Sequence, residues 1–207
     1  MTIDRPRPSL VLASGSPRRR ELLASLDLDF TVRPVHLDET PRADEVPSTY
    51  VERLACEKAA ARATAGELVL AADTTVVLDG EILGKPEDEA DARAMLGRLA
   101  GRLHVVLTGV ALFAPDGDRL ASTVERSSVR IAPLTPGEIA WYVATGEPMD
   151  KAGSYAIQGL GSLFVEEVEG NYTNVVGLPI PATWRLFRQL GYDLLAFGLK
   201  RTVTLGR

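Results

Sequence analysis

The sequence contains few of the residues on which disulfide, redox and histidine-based metal chemistry depend. Its only cysteine is Cys56, so an intrachain disulfide and a cysteine metal site are excluded. Its histidines are His36 and His104, too few for a histidine-rich metal site. Cys56 lies in the alanine-rich helical stretch "YVERLACEKAAA" and His104 in a strand pattern. We therefore interpret both Cys56 and His104 as structural residues.

Long apolar runs and a basic surplus are missing as well. No apolar run is long enough to span a membrane, and the first residues, "MTIDRPRPSLV", lack the apolar core of a signal peptide. We therefore predict a cytoplasmic protein without a membrane partner. The 23 basic and 28 acidic residues give a net charge of -5, which argues against a general nucleic-acid binder. Neither the P-loop nor the dinucleotide-binding glycine motif occurs, so neither of these nucleotide-binding classes is supported.

The remaining pattern is that of an α/β protein. Its length of 207 residues predicts a single domain over residues 1–207. We predict strands at 9–14, 30–35, 67–73 and 162–168, hairpins at 75–84 and 104–131, and helices at 17–26, 49–63, 88–100, 135–146 and 180–191. Because the hairpins interrupt the alternation of strands and helices, a mixed sheet flanked by helices is expected rather than a parallel one. The tail at 200–207 is expected to be frayed.

Local signals fix several of the predicted boundaries. Ser16 before Pro17 is typical of an N-cap, and the helix that follows should bury Leu22, Leu23 and Leu26. The pairs Thr49 with Glu52 and Thr135 with Glu138 match the capping box, so each should begin a helix. Asp79-Gly80 between apolar alternations indicates a hairpin turn, and "EGNYTN" indicates another turn.

The stretch "LASGSPRRRELL" suggests an anion site at a helix N-terminus. A strand, a glycine turn and a helix start direct free backbone N–H groups to one point, and Ser14 and Ser16 add hydroxyl donors. Arg18 and Arg19 lie where a cation is unfavourable by about 0.3–1 kcal/mol unless an anion binds. We therefore assign Arg18 and Arg19 to phosphate binding and leave Arg20 to the solvent.

Other junctions carry polar residues that, taken one by one, fit structural roles equally well. Asp73 follows a buried strand, Lys85 follows a hairpin, and Glu39 lies on the loop "HLDET". Gln158, in the glycine-rich "DKAGSYAIQGLG", could read a base edge through its amide. Together these residues suit a polyphosphate, because basic groups answer its charge while carboxylates hold a divalent cation and orient water.

Three long motifs carry a resemblance to a known family. "LASGSPRRRELL", "AADTTVVLDGEILGKP" and "DKAGSYAIQGLGSLFVEEVEGNYTNVVGLP" together resemble the Maf proteins, which are nucleoside triphosphate pyrophosphatases. The likeness extends over residues 9–192, and the "DKAGSYAIQG" block is similar to the branch that acts on dTTP and UTP. Thr173 stands where serine is more usual. The resemblance does not extend to Arg20 or to the tail after residue 195.

The resemblance implies a fold and a set of roles. The expected fold is an elongated mixed sheet flanked by helices, in two lobes with a central cleft, of the Maf/ITPase-like kind. The expected reaction splits the α–β phosphoanhydride of dTTP or UTP with Mg²⁺ or Mn²⁺, in a cytoplasmic homodimer. The resemblance implies these roles: general base for Asp73; substrate choice for Arg18, Thr74 and Gln158; other active-site positions for Ser14, Arg19, Glu39 and Lys85.

A working mechanism combines these roles. The turn from Ser14 to Arg19, with Lys85, would grip the phosphates, while Asp73 and Glu39 would hold the metal and Asp73 would activate water. Two alternatives stay open. One is the same chemistry on 7-methyl-GTP or another non-standard nucleotide. The other is a non-catalytic nucleotide-binding regulator of septum formation, since the family is associated with inhibition of septation.

Overall fold

The protein is described by a computed structural model covering residues 8–198, and the predicted frayed tail at 200–207 lies outside this range. The strands are β1 (Ser9–Leu12), β2 (Thr31–Val32), β3 (Glu67–Leu78), β4 (Glu81–Leu83), β5 (Leu103–Phe113), β6 (Leu120–Ile131) and β7 (Val165–Glu169). The α-helices are α1 (Pro17–Ala24), α2 (Pro47–Ala60), α3 (Glu89–Leu99), α4 (Pro136–Ala144), α5 (Tyr172–Val176) and α6 (Ile180–Gln189). Short 3₁₀ helices occupy Glu147–Asp150, Ala152–Ser154, Gly159–Phe164 and Leu194–Phe197.

The strands form one seven-stranded mixed sheet, which confirms the predicted fold class. Its order is β2-β1-β3-β5-β6-β7, with β4 paired to β3. Strand β1 runs parallel to β2 and β3, whereas the two hairpins and the pairings β3–β5 and β6–β7 are antiparallel. The turn at Asp79-Gly80 closes the first hairpin as predicted, since both residues have positive φ, the geometry that favours a tight hairpin turn.

Two apolar clusters share one face of the sheet and meet at a polar position. On β3, Leu68, Leu70 and Ala72 belong to the first cluster, and Val76 and Leu78 belong to the second. Thr74 falls between them, because side chains two residues apart share a face of a strand. Thr74 pairs with Thr108 of β5, and their hydroxyl oxygens are 2.9 Å apart. The first cluster forms the core of the first lobe and the second cluster that of the second lobe, so the two lobes join at this threonine pair.

The opposite face of β3 is covered by α2. Val69 and Ala71 pack against Ala55 and Ala59 of this helix. Asp73 continues the same face of the strand, so its carboxylate is directed toward α2 rather than toward the two-lobed face. The backbone approach is close here, because a Cβ on Gly109 of β5 would lie 2.2 Å from the backbone oxygen of Val51.

Several sequence predictions about boundaries are wrong. The Thr49–Glu52 capping box does not form, because α2 begins earlier, at Pro47, and its N-cap Val46 makes no side-chain bond. Leu26 is 37% exposed because α1 ends at Ala24. The stretch "EGNYTN" is more than a turn, since Asn171 caps the short helix α5.

Three predicted strands are shorter than expected, among them β1, which ends at Leu12 rather than at residue 14, and one strand is longer. Strand β2 covers only Thr31–Val32 of the predicted 30–35, and β7 begins at Val165 after a 3₁₀ helix. Strand β3 does not end at Asp73 but continues to Leu78, because it stays paired with β5 throughout. The capping box of Thr135 with Glu138 is confirmed at α4, as is the Ser16 cap of α1. Within residues 8–198, no helix is long and apolar enough to cross a membrane.

Candidate active site

A cleft of about 550 Å³ opens between the lobes above the middle of β3. Every site residue that the sequence predicted lines this cleft: Ser14, Ser16, Arg18, Arg19, Glu39, Asp73, Thr74, Lys85 and Gln158. They come from the β1–α1 turn, the loop before α2, strand β3, the segment after β4 and the loop before β7. The structure therefore brings the predicted residues together, while their chemical roles stay predictions.

Two carboxylates converge on one buried lysine at the floor of the cleft. Lys58 Nζ lies 2.6 Å from Asp73 Oδ1 and 2.6 Å from Glu39 Oε1. The side chains of Lys58 and Asp73 are only 8% and 10% exposed, whereas Glu39 is 47% exposed. Asp73 and Glu39 thus approach each other closely without an unbalanced pair of negative charges, because the ammonium group lies between them.

The sequence analysis missed Lys58, although a signal for it is present. On α2 the buried residues Val51, Leu54, Ala55 and Ala59 form the face that covers the sheet, and Lys58 lies on that same face. Lysine is seldom fully buried unless it is paired. A lysine at a core-facing position of an alanine-rich helix therefore indicates a buried acidic partner, which is Asp73.

Glu39 is held by its backbone as well as by its charge. Tyr50 of α2 donates its hydroxyl proton to the backbone oxygen of Glu39 (3.0 Å). Partial burial by itself would raise the pKa of Glu39, but the hydrogen bond and charge of Lys58, with Lys85 and Arg19, hold it below its usual value. Burial raises the pKa of Tyr50 to about 12, so Tyr50 stays a neutral donor at neutral pH.

Arg19 joins three parts of the cleft wall. Its Nε donates to the backbone oxygen of Gly177 (2.7 Å), Nη1 to Ser14 Oγ (3.1 Å) and Nη2 to Thr74 Oγ1 (2.9 Å). Burial lowers the pKa of Arg19, yet a guanidinium group stays charged at neutral pH. A guanidinium carries five N–H donors, so Arg19 can still reach a phosphate while holding the wall.

The remaining basic residues are more exposed. Arg18 lies across the cleft mouth from the 3₁₀ helix Glu147–Asp150, with its Nη1 3.9 Å from Asp150 Oδ2. Lys85 and Gln158 are exposed at the rim. Arg20 is exposed on α1 and is not among the residues that line the cleft, in agreement with its assignment to the solvent.

The far wall is built by the segment that precedes Gln158. The backbone N–H of Gly153 donates to the backbone oxygen of Gly84 (3.0 Å), next to Lys85. A Cβ on Gly153 would lie 2.9 Å from the side chain of Val76, and its φ is +69°, so only glycine fits there. Behind this wall, His104 Nε2 is 2.7 Å from the hydroxyl oxygen of buried Tyr155.

The predicted structural roles of the cysteine and of His104 agree with their surroundings. His104 is 2% exposed, and its burial lowers its pKa to about 4, which keeps the ring neutral at pH 7. Cys56 is half-buried on α2, and burial raises the pKa of its thiol. Neither residue lines the cleft.

The carboxylates of Asp73 and Glu39 are too few to bind a divalent cation unless a substrate supplies further oxygen ligands. No group of three or more His, Cys, Asp and Glu side chains forms a metal-binding cluster among residues 8–198. Lys58 Nζ contacts Glu39 Oε1 and Asp73 Oδ1, which leaves Glu39 Oε2 and Asp73 Oδ2 for an ion beside the ammonium group. Since Mg²⁺ is commonly bound by one or two carboxylates plus substrate phosphates, these two side chains fit such an ion.

Comparison with known proteins identifies the family. A model of the Maf family, described as Maf-like protein, matches residues 9–190. The dTTP/UTP pyrophosphatase of Anaeromyxobacter sp. (strain Fw109-5) is 56% identical over 188 residues, 89% of this chain and 91% of that protein. The dTTP/UTP pyrophosphatase of Myxococcus xanthus (strain DK1622) is 54% identical over 187 residues, 89% of this chain and 94% of that protein.

A more distant likeness links the chain to a solved structure. The Staphylococcus aureus Ham1 protein aligns with a TM-score of 0.43 and 17% identity, over 60% of this chain and 72% of that one. That similarity is too low to bear on the chemistry. The family match covers nearly all of the described residues, and the relatives cover most of both chains. The chain therefore belongs to the Maf family.

Proposed function

We propose that this protein hydrolyses dTTP and UTP to the nucleoside monophosphate and pyrophosphate. The observation that carries the proposal is the Asp73–Lys58–Glu39 group, in which Asp73 and Lys58 are buried, in a cleft that Arg18 and Lys85 also line. Relatives that are 56% and 54% identical carry the name dTTP/UTP pyrophosphatase, which supports this substrate class.

In the proposed reaction, water attacks the α-phosphorus and the bond to the bridging oxygen breaks. Pyrophosphate leaves with the electron pair of that bond, and the water proton passes to Asp73. Asp73 Oδ1 already accepts a hydrogen bond from Lys58 Nζ, so we assign the role of proton acceptor to Oδ2. Asp73 lines the cleft, so a water molecule bound there beside the substrate can reach this oxygen.

Phosphate binding is assigned to the positive side of the cleft. The N-terminus of α1 presents backbone N–H groups, and Ser16 caps it. Arg18, Arg19 and Lys85 supply the positive charge, and Ser14 supplies a hydroxyl. Gln158 and Thr74 are assigned to substrate choice, with the Gln158 amide reading the edge of the base.

A divalent cation, Mg²⁺ or Mn²⁺, completes the proposal. Asp73 and Glu39 would hold it, and it would offset phosphate charge and lower the pKa of water. Lys58 would then keep the two carboxylates together before the substrate arrives, since it contacts both of them. We accordingly expect pyrophosphate release to stop in a chelator and to return when Mg²⁺ or Mn²⁺ is added in excess.

Other parts of the proposal concern the setting of the enzyme. We propose a single functional domain over residues 1–207, a homodimer, a cytoplasmic location, and no nucleic-acid partner. The net charge of -5 supports the last of these. Size-exclusion chromatography with light scattering would test the dimer independently of activity.

A panel of nucleoside triphosphates tests the substrate assignment, with phosphate and pyrophosphate measured separately. Pyrophosphate released from dTTP and UTP well above that from ATP, GTP and 7-methyl-GTP supports the proposal. A preference for 7-methyl-GTP or another non-standard nucleotide would contradict the substrate assignment but would agree with the proposed reaction. Tight UTP binding without pyrophosphate release, with Mg²⁺ or Mn²⁺ present, would favour the non-catalytic regulator instead.

A further inference from the structure

The loop that carries Gln158 has little support of its own. We call residues 156–161 the base-reading loop. Gln158 is exposed at the edge of the cleft, and the residues on either side of it run from the end of one 3₁₀ segment into the next. A side chain that reads a base must keep its position to within a fraction of an ångström. The loop therefore needs a fixed anchor outside the cleft.

Glu147 provides such an anchor at the end of the loop that follows Gln158. Its Oε2 accepts the backbone N–H of Leu160 (3.0 Å), and its Oε1 accepts the backbone N–H of Gly161 (2.9 Å). A Cβ on Gly159 would lie only 2.5 Å from Glu147 Oε2, and the φ of Gly159 is +70°. The loop backbone thus lies directly on this carboxylate, and Gly159 permits that approach.

Tyr142 of α4 extends the anchor to the other end of the loop. Its hydroxyl group donates to Glu147 Oε1 (2.8 Å) and accepts the backbone N–H of Ala156 (3.1 Å). Tyr142 is fully buried, so its ring has a fixed position in the core. Glu147 and Tyr142 together therefore hold the loop on both sides of Gln158.

The hydrogen bonds to Glu147 are those of an ionised carboxylate. Desolvation by itself would raise the pKa of Glu147, but the N–H groups of Gly161 and Leu160 and the hydroxyl of Tyr142 outweigh it and lower the pKa. Charge-assisted hydrogen bonds are about twice as strong as neutral ones. Glu147 is not among the residues that line the cleft, so it does not contact a bound nucleotide directly.

We propose that Glu147 is a positioning residue that sets nucleobase selectivity by fixing the base-reading loop. Glu147 acts through Gln158, and Tyr142 couples the carboxylate to the core of the second lobe. The inference rests on the proposed function, in which Gln158 reads the base, and it adds a determinant outside the cleft. Phosphate binding and the Asp73–Lys58–Glu39 group do not depend on Glu147.

The test is the variant Glu147→Gln, which keeps the size of the side chain but replaces an acceptor oxygen with a donor amide. We expect the KM for UTP to rise about tenfold, as the loss of a hydrogen bond to a charged group implies, while kcat changes less than about twofold. The preference for UTP over GTP, as a ratio of kcat/KM, should fall by a similar factor. The matched control is Glu138→Gln on α4, because Glu138 also accepts hydrogen bonds, but from Thr135 at the N-terminus of that helix. It should leave KM and selectivity unchanged.

A double-mutant cycle separates positioning from a general structural effect. If Glu147 acts through Gln158, Glu147→Gln/Gln158→Ala should be no less selective than Gln158→Ala alone. Additive losses, or a lower melting temperature with an unchanged selectivity ratio, would overturn the proposal. If Glu147→Gln does not fold, Tyr142→Phe removes both hydroxyl bonds and should give the same split between KM and kcat.

Failure of the proposed function gives a different result. If the wild-type protein releases no pyrophosphate from any triphosphate, that function is wrong, and UMP and GMP binding by calorimetry then tests Glu147. Glu147→Gln should weaken UMP binding about tenfold and leave GMP binding nearly unchanged, whereas Glu138→Gln should alter neither. Equal affinity of the wild type and Glu147→Gln for UMP, or the absence of UMP binding, would overturn the inference about Glu147.

Discussion

Lys58 Nζ lies 2.6 Å from Asp73 Oδ1, and both side chains are buried at the floor of the cleft. The same ammonium group contacts Glu39, so its single positive charge is shared by the two carboxylates that the proposed reaction uses. Breaking a buried ion pair by removing one partner leaves an uncompensated charge. Lys58 is therefore the residue through which the stability of the protein and the ionisation of the site are coupled.

We expect Lys58→Met to reduce turnover about 100-fold, because Asp73, the proposed proton acceptor, loses the ammonium group that positions it, and proton transfer by a positioned group contributes about 10²–10⁴-fold. The acid limb of the pH–rate profile should move to higher pH, since Lys58 lowers the pKa of Glu39 and its loss raises that pKa. The free energy of unfolding should fall by about 3 kcal/mol. Initial rates measured from about pH 3 to pH 9, so that the range includes the acid limb of a carboxylate with a lowered pKa, and urea unfolding measure the three effects.

The control for this variant is Arg93→Met, which removes an exposed i,i+4 ion pair with Glu89 on α3. Exposed pairs of this kind contribute at most about 1 kcal/mol, so the pH profile and turnover should match the wild type. A Lys58→Met protein with the wild-type acid limb would show that Lys58 does not set the ionisation of Glu39.

The general-base assignment of Asp73 predicts a specific pattern for Asp73→Asn. The amide oxygen can still accept from Lys58, so the fold should be retained, but the side chain can no longer take a proton. We expect kcat to fall by about 10²–10⁴-fold while the affinity for UTP changes little. Single-turnover rates and calorimetric binding give the two quantities. Near-normal turnover by a folded Asp73→Asn protein would remove Asp73 from this role.

The sequence predicted which residues line the cleft better than it predicted how those residues are arranged. Long motifs brought Ser14, Asp73 and Gln158 into one predicted site, and all of them line the cleft. The predicted position of Asp73 at the end of its strand was wrong, because β3 pairs with β5 between residues 28 to 44 positions apart, which leaves no local signal. The hairpin turn at Asp79-Gly80, which depends on local backbone geometry, was predicted correctly.

Residues that act through other residues were the hardest to find. Lys58 is separated from Asp73 by 15 positions, and its role appears only when the buried face of α2 is placed against β3. Glu147 meets Leu160 and Gly161 through backbone N–H groups, which no side-chain pattern records. Of the two capping-box predictions, the one at Thr135 is confirmed, since Thr135 caps α4. The one at Thr49 is wrong, because α2 begins at Pro47.

Alanine substitution of the three consecutive arginines should have three different effects on KM and on the free energy of unfolding. We expect Arg18→Ala to raise the KM for UTP about tenfold without a loss of stability, because its nearest acid is 3.9 Å away. Arg19→Ala should raise KM and also lower the free energy of unfolding by about 2–4 kcal/mol, since it removes bonds to Ser14, Thr74 and Gly177. Arg20→Ala, which changes an exposed residue outside the cleft, is the matched control.

Steady-state kinetics and thermal unfolding of the three variants provide the comparison. Raising the ionic strength should weaken UTP binding less in Arg18→Ala than in the wild type, because one phosphate contact has been removed. A melting temperature for Arg18→Ala as low as that of Arg19→Ala would instead indicate that Arg18 supports the fold.

The buried His104 makes stability depend on pH. Burial lowers its pKa from 6.5 to about 4, so between these values the unfolded chain binds a proton that the folded protein does not. The contribution of His104 to stability is therefore complete above about pH 6.5 and decreases as the pH falls toward 4. The loss should reach about 3 kcal/mol, because each tenfold change in proton affinity corresponds to about 1.4 kcal/mol.

Urea unfolding at pH 7.5 and pH 4.5 measures this dependence. His104→Phe should be less stable at pH 7.5, since Tyr155 loses its partner, but its stability should fall less between the two pH values. Titrating carboxylates are common to both proteins, so the difference between the slopes isolates His104. His36→Gln, which changes an exposed histidine, is the matched control and should keep the wild-type slope. Equal slopes for His104→Phe and the wild type would mean that His104 takes up its proton in the folded protein as readily as in the unfolded chain.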